Sequence, residues 1–175
     1  MGIAWHAPQD NHVHYNSYPQ SDTYWETFVK TPFIYRRPIR WGDTDAARIV
    51  FTAHYFDICM EAIESFFQQI LELDWFAMTC KQSTGTPFVH AEVDFHTPLT
   101  PRDVLNIRVD IEHQGNSSLS LILYGNREVE GVAAFTGRFT CSFSDLNNLK
   151  SIPIPSDIRQ RITCYQQQSS KLISG

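Results

Sequence analysis

Residues Arg40 to Phe56 read RWGDTDAARIVFTAHYF, which sets Asp43 and Asp45 two positions apart just before an apolar run that lengthens into a helix. A D-x-D pair can chelate a cation, end a strand through an Asx turn, or aim one carboxylate at a substrate. The spacing alone leaves all three open.

Immediately upstream, TPFIYRRPIRW (31–41) alternates Phe33, Tyr35, Arg37, Ile39 and Trp41 against Ile34, Arg36 and Arg40. This period of two, rich in β-branched and aromatic residues, predicts a first strand, with Pro38 marking an edge or a bulge. Downstream, AHYFDICMEAIESFFQQILEL (53–73) places Tyr55, Cys59, Ile63, Phe66, Phe67 and Ile70 at three- and four-residue steps, and no glycine or proline interrupts it. One long helix is expected there, apolar over much of its circumference and in need of an equally broad surface to cover. Met60, Phe66, Phe67 and Trp75 read as core rather than as a ligand pocket. Glu61 and Glu64 read as a solvated or interface face.

The covering surface comes next in the chain. TPFVHAEVDFHTPL (86–99) alternates Val89, Ala91, Val93 and Phe95 against His90, Glu92, Asp94 and His96, and DVLNIRVDIEHQ (103–114) puts Leu105, Ile107, Val109 and Ile111 on one face. SSLSLILYGNREV (117–129) and GVAAFTGRFTCSFSD (131–145) continue the alternation with short links, so a meander of antiparallel strands follows the helix. LNNLKSIPIPSDIRQRI (146–162) closes the domain with a proline-punctuated connection and a short helix capped by Ser156. The order strand, helix, meander predicts an α+β fold over residues 31–165, with an irregular arm over 1–30 and a tail over 166–175.

Composition bounds the partners. The chain has 175 residues, 42% hydrophobic and 13% aromatic, with net charge −5. That suffices for one core without a metal or disulfide staple, and it argues against nucleic acid as a partner. Cys59, Cys80, Cys141 and Cys164 form no C-x-x-C pair and read as free thiols. No leader-like segment and no run of about 18 apolar residues is present, so a cytoplasmic protein that does not span a membrane is expected. The arm holds His6, His12 and His14, without carboxylate or cysteine at metal-ligand spacing, and TYWETFVK (23–30) reads as a short helix.

WGDTDAARIVFTAHYF, GTPFVHAEVDFHTPLTPRDVL and CSFSD together resemble the hotdog-fold thioesterases of the 4-hydroxybenzoyl-CoA thioesterase family, from about Phe33 to Ile162. The resemblance implies a central helix wrapped by a curved antiparallel sheet. It also implies an acyl-CoA thioesterase acting on an aromatic or short acyl group, with coenzyme A as part of the substrate and no metal or other cofactor. In that family the second aspartate, here Asp45, carries the chemistry as nucleophile or general base, and the first, Asp43, holds the loop. A carboxylate before a helix start gains from the macrodipole and lies near amides able to hold an oxyanion, although Asp equally serves as a plain loop cap.

The resemblance places the oxyanion donor at the N–H of Thr52 or an immediate neighbour, whose hydroxyl could equally cap the helix. Arg48, Phe51 and His54 are then expected near the substrate. Pairing of the strand PFVHAEVDF with a second copy, in a homodimer or homotetramer, would bring in His90 and Glu92, and Ser117 and Ser118 of GNSSLS are candidates for the coenzyme A end. Ala46, Ala47 and Arg48 replace a glycine-containing turn of the relatives, Thr52 their tyrosine or histidine, and Met60 their helix carboxylate. Three alternatives stay open: a non-catalytic hotdog module binding an acyl or aromatic ligand, a metal site on Asp43, Asp45 and the arm histidines, and an acyl-carrier-protein thioester as substrate.

Overall fold

The computed structural model describes residues 32–173, and of 171–173 the backbone alone. The arm over 1–30, with His6, His12, His14 and the helix expected over 23–30, lies outside the described residues. Strand β1 is Ile34–Pro38; helices α1 and α2 are His54–Gln69 and Trp75–Gln82. Then come β2 (Thr84–Gly85), β3 (Phe88–Phe95), β4 (Val104–Gln114), β5 (Ser118–Arg127), β6 (Ala133–Ser142), β7 (Ser144–Asp145), β8 (Lys150–Ser151) and α3 (Ser156–Ile173). Five strands make one antiparallel sheet in the order β1-β4-β5-β6-β3, and β2-β7-β8 form a small second sheet.

The predicted alternation builds the core. Leu105, Ile107 and Val109 of β4, Leu119, Leu121 and Leu123 of β5, and Phe135 and Phe139 of β6 are buried together with Ile58, Cys59, Ala62, Ile63, Phe66 and Phe67 of α1. Tyr55 stacks edge-on against Phe135 at 5.7 Å, which ties the first turn of α1 to β6. Gly125 faces Phe135 across the β5–β6 ladder, and a Cβ there would sit 2.2 Å from a ring atom, so this position must lack a side chain. Tyr165 staples α3 on: its hydroxyl donates to the Val109 carbonyl at 2.7 Å and accepts from the Phe33 N–H at 3.1 Å. That helix runs through Ile173, past residue 165 where the sequence places the start of a tail.

Two expectations change. The helix predicted to reach Leu73 ends at Gln69, because Glu72 takes a left-handed φ of 51° and the Leu73 N–H turns back to the Phe67 carbonyl at 2.9 Å. Asp74 then caps a separate helix, α2, accepting from the Ala77 N–H at 3.0 Å. On β3, a bulge between Phe88 and His90 and the lack of a neighbour on one side leave the supposed inward set open: Val89 is 67% and Phe95 50% exposed. Strand β3 is thus an uncovered edge. None of the described helices is long and apolar enough to cross a membrane.

Candidate active site

The D-x-D loop is built outward from a buried arginine. Arg37 shares the inward phase of β1 with Tyr35, so its guanidinium lies in the interior at 9% exposure and requires anionic partners. Asp43, at the end of a 3-10 turn over Trp41–Asp43, accepts from Arg37 Nη1 at 2.7 Å and Nη2 at 3.0 Å, and from the Arg40 N–H at 2.6 Å. The other edge of the guanidinium donates from Nε to Glu61 Oε2 at 2.8 Å. Both oxygens of Asp43 are therefore engaged, by Arg37 and by the loop backbone.

The hydrogen bonds from Arg37 hold the Asp43 carboxyl below the ordinary aspartate range, outweighing the cost of burial. A depressed folded-state pKa gives stability that is full above the unfolded value, about 3.9, and lost as pH falls through the folded value. Asp43→Asn should cost about 2–3 kcal/mol at pH 7, less than the loss of a whole buried pair because Arg37 keeps Glu61. In urea titrations the gap between wild type and variant should narrow below about pH 4. A gap that widens towards acid would contradict the assignment.

Residues 44–50 fold back on themselves. The Asp45 N–H donates to the Ile49 carbonyl at 3.1 Å, the Arg48 N–H to the Asp45 carbonyl at 3.0 Å, and Thr44 bridges Val50. Arg48 carries a φ of 65° in this turn, the left-handed conformation for which the relatives' glycine is suited. Asp45 is exposed, and its Oδ1 accepts from the Ala47 N–H at 2.8 Å, so the loop-cap role read from the sequence engages one oxygen. Among the described residues Oδ2 has no hydrogen-bond partner.

The loop is anchored to the start of α1 through one atom, the Asp43 carbonyl oxygen, which accepts from the Phe51 N–H at 2.9 Å and lies 3.0 Å from His54 Nδ1. A carbonyl only accepts, so His54 Nδ1 carries a proton and donates it. Phe51 packs edge-on against that ring at 5.5 Å. Ala53 is the N-cap of α1 and no side chain caps it, so the Thr52 hydroxyl does not take the capping role open to it. Among the described residues the N–H groups of Thr52 and Ala53 have no backbone acceptor. Two open amides at the positive end of a helix can donate to an anionic oxygen.

Asp45, Arg48, Phe51, Thr52 and His54 thus share one short stretch. The other predicted contacts stand elsewhere in the chain. His90 and Glu92 alternate with Ala91, whose cross-strand partner Phe139 is in the core, so both project from the opposite face of the sheet, where Glu92 accepts from Arg138 Nη1 at 3.1 Å. Ser117 lies in the β4–β5 turn and Ser118 opens β5, at the other end of β4 from the Val104 end that pairs with Pro38 ahead of the loop. Arg37 was not singled out from the sequence, although a charged residue in phase with Phe33, Tyr35 and Ile39 was the available signal, and Glu61, read there as a solvated or interface residue, is half-exposed yet bonded to Arg37.

The profile of the Thioesterase-like superfamily matches residues 39–162. The 1,4-dihydroxy-2-naphthoyl-CoA hydrolase of Gloeothece citriformis is 35% identical over 112 residues, covering 62% of this chain and 77% of that one. Matches to six other hydrolases of that name span 50% to 55% of those chains, and the match to that of Acaryochloris marina, 27% identical, spans 91%. Among solved structures, a thioesterase superfamily protein of Jannaschia sp. CCS1 superposes with a TM-score of 0.70 at 31% identity, over 78% of this chain and 94% of that one. A gentisyl-coenzyme A thioesterase superposes with a TM-score of 0.67 at 28% identity, over 74% and 99%. The family match is coarser than the 4-hydroxybenzoyl-CoA branch that the motif resembles.

Proposed function

Because the chain belongs to the thioesterase-like superfamily, and its D-x-D loop is tied to a helix start with two open amides, we propose that it hydrolyses an aromatic acyl-CoA to the carboxylate and free coenzyme A. The unengaged amides of Thr52 and Ala53 carry this reading. The thioester oxygen would sit on them, and they would hold the negative charge of the tetrahedral intermediate. Asp45 either takes the proton of the attacking water and passes it to the departing sulfur, or attacks the carbonyl itself, breaking the C–S bond and expelling the coenzyme A thiolate to give an anhydride. Water then opens the anhydride to the free acid and the Asp45 carboxylate, and its proton neutralises the thiolate. A ring-bearing acyl group suits a site flanked by the exposed rings of Phe51 and Phe56, and the relatives named above act on naphthoyl and gentisyl thioesters.

A thiol-release assay over naphthoyl-, gentisyl-, hydroxybenzoyl-, benzoyl- and short aliphatic CoA thioesters tests the proposal, with an acyl-carrier-protein thioester as a further arm. Hydroxylated aromatic members should give the highest kcat/KM, and chelator should change nothing. Inhibition by chelator would favour a metal site. Release from no member would favour the binding module that the residues at Ala46, Arg48, Thr52 and Met60 leave open.

A further inference from the structure

Glu61 lies seven residues along α1 from His54, about 10 Å down the helix axis. That is too far to meet a carbonyl held at the helix start. Its carboxylate nevertheless belongs to a closed ring of contacts. Glu61 accepts from Arg37 Nε at 2.8 Å, and from Nη2 at 3.4 Å, while Asp43 fills the other edge of the same guanidinium. A planar fork held on both edges cannot swing. Asp43, fixed in turn, offers its carbonyl oxygen to the Phe51 N–H and the His54 ring, which return the ring of contacts to α1. The residues left within this closed path are the Asp45 loop and the open amides of Thr52 and Ala53.

We infer that Glu61 is a positioning residue: through Arg37 and Asp43 it fixes the Asp45 carboxylate relative to the oxyanion amides, without touching substrate. The inference rests on the reading of Asp45 as the reacting carboxylate. Tyr35 supports it from β1, donating to Glu61 Oε2 at 3.3 Å. The Glu61 side chain is 43% exposed, so Glu61→Gln should fold. Stability and alignment are then separable, since the buried Arg37 keeps its two-pronged contact with Asp43 and the glutamine amide of the variant retains an oxygen that can accept from Nε.

The test compares wild type, Glu61→Gln, Asp45→Asn and the double variant on the best CoA thioester of the panel. Misalignment without loss of binding predicts a fall in kcat of about tenfold or more for Glu61→Gln, with KM changed by less than about threefold. In the Asp45→Asn background the same change should alter kcat by less than about twofold, since nothing remains to align. Amide exchange supplies a readout that needs no turnover. The Phe51 and Asp45 amides should exchange about tenfold faster in Glu61→Gln, while those of Leu121 and Leu123 in β5 stay as in wild type. Full kcat in Glu61→Gln, a loss that multiplies with that of Asp45→Asn, or unchanged exchange at Phe51 would each overturn the inference. A wild-type protein that releases no thiol from any thioester would overturn the thioesterase reading instead, and the exchange measurement would still decide whether Glu61 holds the loop.

Discussion

Asp45→Asn should lower turnover by about a hundredfold or more while leaving the fold as it is, the loss expected when a nucleophile or general base is removed. The amide keeps an oxygen to accept from the Ala47 N–H, so the Asx turn survives. The side chain is exposed and makes no ion pair among the described residues, so the change in unfolding free energy should stay within about 0.5 kcal/mol. Asp43→Asn should show the reverse profile, with a stability loss and a smaller loss of turnover. Thiol release and urea unfolding on the two variants side by side separate the roles. A larger drop in turnover at Asp43 than at Asp45 would mean that the pair had been assigned the wrong way round.

The two aspartates were separable only in part from the sequence. Their order relative to the helix was plain, and so was the strand, helix, meander layout, because Tyr55, Cys59, Ile63 and Phe66 or Leu105, Ile107 and Val109 repeat at periods that admit one element each. What was hidden depends on contacts distant in sequence. Arg37 and Glu61 meet across 24 residues, and neither position announces its partner. The stop after Gln69 uses a left-handed Glu72 where glycine is the usual marker, so the punctuation was absent from the letters. On β3 the letters are ambiguous for another reason: alternation tells which residues, such as His90 and Glu92, share a face of a strand but not which face meets the helix, and both faces of β3 are largely open.

That openness leads to the second large effect, on assembly. Of the two edges of the five-stranded sheet, β1 is blunted: it is five residues long and ends in Pro38. Strand β3 is eight residues long, has β6 on one side only, and presents Val89 and Phe95 to solvent. An uncapped edge flanked by apolar side chains is satisfied by the same edge of a second copy about a two-fold, which extends both sheets at once. The active unit is then expected to be at least a dimer, with the helix-facing side of β3, around Phe95, completing the wall of the neighbouring site. Val89→Lys tests this with little cost to the single chain, because Val89 is already 67% exposed. A charge on a pairing edge should weaken association by about 2–3 kcal/mol, roughly a hundredfold in Kd. Sedimentation should show the variant shifted to monomer at assay concentration, with kcat/KM falling in step with the dimer fraction and recovering at high protein concentration. Wild-type protein that sediments as a fully active monomer would overturn the shared wall, because a site complete within one chain gains nothing from covering β3.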